Sequence, residues 1–173
     1  MRGRFVDRPR VRGKRASEYR HAASNNLLKM KSKLLNRDGE TTWALIFDSG
    51  DEVMQHLQQF AREQKLGGSH FTAIGAFSDL TVGYFNMEKK DYKRIPIREQ
   101  VEVLSLIGDI ASDSGEPKIH AHVVVGKSDG SAWGGHLVEA HVRPTLELIL
   151  TESPVHLRRK WNPSAHLALI ELK

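Results

Sequence analysis

Residues 118–137 read KIHAHVVVGKSDGSAWGGHL, and this stretch limits the fold more tightly than any other. Strand side chains alternate between faces, so His120 and His122 point the same way, roughly 7 Å apart along the backbone. GKSDGS (126–131) is a strong turn signal with Asp129-Gly130 at its centre. A turn centred on Asp129 pairs residue 127 with 131 and His122 with His136, which sets His136 directly across the hairpin on the same face. Three imidazoles then converge. That is the nitrogen set of open zinc sites, in which water or substrate takes the fourth position. A bulge at Gly134-Gly135 would shift the register and leave three polar residues on a sheet face instead.

The chain contains no cysteine, which excludes disulfides, thiolate metal sites and cysteine nucleophiles. An all-imidazole set suits zinc, nickel, copper or iron, and zinc is the first expectation. His-x-His on a strand is also a cupin feature. A cupin places a Glu a few residues on, however, and Val123 to Gly126 hold none. Glu139 and His141 alternate on a following strand with Arg143. Together with Glu102 they are the candidates to orient a ligand histidine, since carboxylates commonly fix imidazole tautomers. The alternatives for Glu139, His141 and Arg143 are a contact between subunits or an exposed polar face. His70, His156 and His166 have no recognisable company. Arg158, Arg159, Lys160 and Trp161 read as a solvated loop, with contact to nucleic acid as the alternative. Walker A, dinucleotide and nucleophile-elbow motifs are absent.

The rest of the chain frames this hairpin. TTWALIFD (41–48) is a short apolar run that predicts a buried strand. Val53, Met54, Leu57, Phe60 and Ala61 recur at helical spacing. Ser49 and Glu52 form a capping-box pattern before them, and Gly67-Gly68 supplies a stop after them. His56 falls on the polar face of this helix. SHFTAIGAFSD (69–79) and LTVGYFN (80–86) read as two strands joined at Ser78-Asp79. Residues 89–97 form a polar turn and a short strand in which Pro96 marks an edge or bend. Strands are also expected over 99–111, 141–153 and 165–173. One helix and about seven to eight strands predict a single α+β domain with a largely antiparallel sheet.

The formal charge of +5 is unevenly spread. Twelve of the 26 Lys and Arg residues and two of the 21 acids precede position 38, so residues 38–173 hold 14 basic and 19 acidic side chains. Residues 1–29 have little apolar content and no sustained periodicity, and read as a disordered basic tail before a domain over 30–173. Arg2, Arg4, Arg8, Arg10, Arg12, Lys14 and Arg15 are its candidate phosphate contacts. Arg2-Gly3-Arg4 starts like an AT-hook core but continues with Phe5. Met30 is an alternative start, because MKSKLL suits the opening of a strand. No apolar run reaches the roughly 18 residues of a membrane span, and no secretory h-region is visible. These features point to a cytoplasmic protein.

VEVLSLIGDIA, HFTAIGAFSDLTVGYF and HAHVVVGKSDGSAWGGHLVEAHVRPTLELILTE together resemble the PPC domain (plant and prokaryote conserved, domain of unknown function 296). The resemblance runs from about Met30 to Lys173. It implies a compact α+β homotrimer. For the prokaryotic branch it implies a histidine-bound metal at His120, His122 and His136. Plant members lack these histidines, carry AT-hooks and associate with DNA in the nucleus. Prokaryotic members are mostly the bare domain, described as DNA-binding by that analogy. Besides a protein-interaction platform with a purely structural ion, two functions follow as expectations. One is a DNA-associated regulatory trimer. The other is a metal-dependent enzyme or small-molecule sensor with its site at a subunit interface.

Overall fold

A computed structural model describes residues 30–172. The basic tail, its seven candidate phosphate contacts and the interrupted Arg-Gly-Arg core lie outside the described residues.

Nine strands and one helix follow in chain order: β1 (Lys31–Asn36), β2 (Thr41–Asp48), α1 (Val53–Gln64), β3 (Gly68–Asn86), β4 (Asp91–Ile97), β5 (Val101–Asp113), β6 (Glu116–Gly126), β7 (Ala132–Glu152), β8 (Arg158–Asn162) and β9 (Leu167–Glu171). All belong to one sheet, in the order β1-β2-β7-β3-β5-β8-β9, with β4 on β3 and β6 on both β5 and β7. Every ladder is antiparallel except β5–β8, which runs parallel through Ser112 and Arg158. The expected class holds, and the sheet has more strands than the alternation indicated.

The difference in count has local causes. Residues 69–86 are one long strand, because Ser78-Asp79 sits in a register shift of the β3–β7 ladder and does not reverse the chain. Residues 141–152 are likewise the second half of β7, continuous with the histidine hairpin. Arg158 to Trp161 are not a loop but most of β8, which pairs with β9. Long β3 and β7 are what close the molecule. Ladders join β3 to β5, β5 to β6, β6 to β7 and β7 back to β3, so these four strands form a ring.

Helix α1 buries Val53, Leu57, Phe60 and Ala61, the stripe that its periodicity predicts. Trp43 of β2 meets Phe60 edge-on at 5.7 Å, and Phe47, Phe77, Leu146, Leu148 and Leu150 complete the solvent-free centre. Truncating any one of these leucines to alanine removes about 2–5 kcal/mol. The caps differ from the expectation. Glu52 is the N-cap, its carboxylate accepting from Met54 N and Gln55 N, so the Ser49 capping box does not form. The helix ends at Lys65 in a left-handed conformation, before Gly67 is reached. His56 is not on a polar face. It is 4% exposed, with Nδ1 2.6 Å from the Glu52 carbonyl.

Candidate metal centre

The hairpin between β6 and β7 has the register that its turn predicts. His122 pairs with His136 and Gly126 with Ala132, without a bulge at Gly134-Gly135. The turn is pinned by Lys127 N donating to Ser131 O at 2.9 Å, and by Asp129 Oδ1 accepting from Ser131 N and Oγ at 2.9 and 2.6 Å. Gly130 takes the left-handed conformation (φ 83°) that the turn requires.

His120, His122 and His136 each present a ring nitrogen within 4.8 Å of the other two. The Nε2 atoms of His120 and His122 are 3.2 Å apart. Bonds of about 2.0–2.1 Å from zinc to tetrahedral imidazoles hold such nitrogens about 3.3 Å apart, a spacing that the His120–His122 pair already has. The buried Nδ1 of His136 has no partner. Burial, with the charges of His120, His122 and Lys118, pushes the His136 imidazole down to about 4. Burial and the charge of His120 lower His122 as well. At neutral pH these rings are unprotonated, the state in which imidazole offers a lone pair to a metal.

Three neighbours hold the rings. Asp109 of β5 lies opposite His120, with Oδ2 3.6 Å from its Nδ1. Arg159 of β8 clamps the same carboxylate at 2.5 Å and donates from its other terminal nitrogen to the Ala168 carbonyl at 3.2 Å. Burial raises the Asp109 carboxyl, but His120 and the Arg159 guanidinium more than offset that and leave it lowered. Tyr92 of β4 stacks on His136, with centroids 4.8 Å apart. It reaches across β3 because residue 83 is glycine: a Cβ there would sit 2.8 Å from the Tyr92 ring. Gly108 makes room on the core side, where a Cβ would sit 2.3 Å from the Phe71 ring and 2.6 Å from the His120 carbonyl oxygen.

The other candidates do not meet the triad. Glu102 is exposed and pairs with Gly126, four positions along β6 from His122. Glu139 accepts from Thr81 Oγ1 at 2.7 Å and faces Arg94 at 3.9 Å. His141 Nδ1 is 2.8 Å from Asp79 Oδ1. Asp109 is the carboxylate that the sequence reading missed. Its signal was the Ser114-Gly115 turn, whose hairpin pairs Asp109 with His120.

Comparison with known proteins agrees with this architecture. A family model described as the Plants and Prokaryotes Conserved (PCC) domain matches residues 35–154. A presumptive DNA-binding protein of Bacteroides thetaiotaomicron superposes with a TM-score of 0.75 at 27% identity, covering 81% of this chain and 96% of that one. A metal-containing protein of Archaeoglobus fulgidus superposes with a TM-score of 0.71 at 28% identity, covering 84% and 100% of the two chains. The bifunctional protein GlmU of a Synechococcus species (strain JA-3-3Ab) is 32% identical over 125 residues, 71% of this chain. The chain spans 19% of the length of that curated relative.

Proposed function

The chain belongs to the Plants and Prokaryotes Conserved domain family, and from that premise we propose that it is a DNA-associated regulatory protein whose folded domain is a homotrimer with a three-histidine zinc centre. The observation that carries the metal is the convergence of three ring nitrogens within 4.8 Å, with no acid among them. His120, His122 and His136 are the ligands, and Asp109 orients His120. A zinc ion held by three imidazoles keeps a fourth position open and, when bound, polarises an oxygen ligand placed there.

Self-association is supported by the outer face of the sheet. Ile149, Thr72, Ile107 and His122 are successive cross-strand partners over β7, β3, β5 and β6. Ile74, Leu104, Ile107, Val124 and Ile149 are all exposed large apolar side chains. Such a patch is characteristic of a subunit interface, and further copies of this chain are its occupants here. DNA is supported by the described relative from Bacteroides and by the charge distribution. The excess of bases lies before residue 38, while residues 38–173 carry 14 bases against 19 acids, so phosphate contacts belong to the tail. The second reading, a metal-dependent enzyme or small-molecule sensor, is favoured by a cavity of about 690 Å³ that His120 and His136 line. No helix among the described residues is long and apolar enough to cross a membrane.

Purified full-length protein should sediment as three chains with about one zinc each, and should bind duplex DNA weakly, without sequence preference and with strong salt dependence. The same protein begun at Met30 should keep the zinc and the trimer and lose the DNA. A monomer without metal refutes the reading of the domain, and undiminished DNA binding by the shortened chain refutes that of the tail.

A further inference from the structure

The β6–β7 ladder ends at His122 and His136. Beyond that pair the strands part. β6 continues toward Glu116 on β5, and β7 continues toward Ala140 on β3. Helix α1 bridges the split, Gln58 donating to the Pro117 carbonyl at 2.9 Å and Glu52 accepting from Ala140 N at 3.1 Å. What remains open is the cavity of about 690 Å³ that begins at the triad. This volume lies within the usual range for small-molecule pockets.

The lining has two characters. Tyr92, Trp161, Leu167 and Leu169 supply flat or apolar surface, the last three from the β8–β9 hairpin. Trp161 is 54% exposed and meets His166 edge-on at 5.0 Å. Arg94, Lys118 and Arg159 supply positive charge against the carboxylates of Asp91 and Asp113. The Arg159 side chain is only 7% exposed, and its buried Nε has no partner. A divalent ion on the histidines raises the positive balance further. The β8–β9 hairpin lies beyond residues 35–154, the stretch that the family model matches.

We propose that this cleft binds a small organic anion with a flat apolar body. The anionic oxygen sits at the His120–His136 end near Lys118, and the body lies against the Trp161 indole. Carboxylate and phosphate offer the same oxygen chemistry to the metal and the cations. The C-terminal hairpin selects the body. The proposal rests on the metal reading, because the ion supplies most of the charge that attracts the anion.

Calorimetric titration of the zinc-loaded full-length protein tests it, with 1-naphthoate, 1-naphthyl phosphate and the neutral 1-naphthamide as probes. At least one anion should bind about tenfold tighter than the amide. The tighter anion identifies the head group. Trp161→Ala should weaken that anion about tenfold, and Lys118→Gln about threefold, with zinc content unchanged in both. Zinc bound but neither anion saturating below about 10 mM, or neither preferred to the amide, overturns this inference alone. Full affinity in Trp161→Ala overturns the role of the hairpin and with it the proposal. Wild-type protein that takes up no metal overturns the metal reading and this inference together.

Discussion

His136 and His141 lie five residues apart on β7, and their surroundings differ in kind. His136 pairs with His122 on one side and Gly83 on the other, packs against Tyr92, and has a buried ring nitrogen with no partner. His141 points its Nδ1 at Asp79, and that hydrogen bond raises its pKa, with the charges of Asp79, Glu52 and Glu139 adding to the effect. Burial among imidazoles favours the neutral form of His136, whereas the carboxylates around His141 favour its protonated form. A protonated ring bonded to an acid has no lone pair to give. The contrast therefore sets a ring favoured in its lone-pair form, within the cluster, apart from one favoured as an ion-pair partner on the same strand. The density of histidines in the sequence cannot make that distinction.

The strongest attempt to break the contrast is to delete each site in turn. Removing two ligands leaves one imidazole, which cannot hold a divalent ion against competing buffer. His120→Ala combined with His122→Ala should lower metal affinity at least about 100-fold, while the fold persists. His141→Ala should leave metal content at the wild-type level. Elemental analysis of both variants reads the difference directly. Loss of metal from His141→Ala would mean that the two histidines belong to one site.

Much of this contrast was legible before any coordinates. The Asp129-Gly130 turn brings His136 opposite His122 unless Gly134-Gly135 bulges, and the ladder carries no such bulge. Glu139 and His141 were legible only as a polar set, because the partner of His141 comes from β3. Asp79 was read as part of a turn between two strands, whereas it lies within one bulged strand. Turn-forming residues mark a reversal only when no neighbouring strand offers a ladder on both sides, and β3 has β7 and β4 or β5 along most of its length. The same tertiary pairing turned Arg158 to Trp161 from a solvated loop into β8, and brought Arg159 to Asp109. His56 shows the opposite limit. Helical spacing placed it with the polar residues, but Phe47 packs on its ring and the Glu52 carbonyl satisfies one nitrogen.

A smaller perturbation sharpens the description of the triad. Asp109 is not one of the three clustered donors, yet its carboxylate faces Nδ1 of His120 at 3.6 Å, where it favours a proton on that nitrogen. Asp109→Asn keeps the shape and removes the charge. It should weaken metal binding about 10–100-fold, measured by competition with a chelator, with the stoichiometry at saturating metal unchanged. Arg159→Ala should move affinity the same way by a lesser factor, since it frees the carboxylate without removing it. A normal affinity in Asp109→Asn would show that Tyr92 and the hairpin alone hold the rings.

The smallest effect concerns the other histidine and has a definite sign. The folded pKa of His141 lies above its ordinary 6.5, so its pairing stabilises the fold fully below 6.5 and loses effect as pH rises through the raised value. For Asp79, burial raises the carboxyl, but the hydrogen bonds from His141 and Ser78 prevail and leave it below 3.8. Its contribution is therefore present above 3.8 and fades as pH falls through the lowered value. Both groups contribute in the window between those two ordinary values. The side chains are 45% and 44% exposed, so solvent screening holds the pair to about 0.5 kcal/mol. Urea unfolding of His141→Asn against wild type should show that difference near about pH 5.5 and none near about pH 9. A difference that is equal at both pH values would assign it to packing, and would remove the charge on which the contrast with His136 depends.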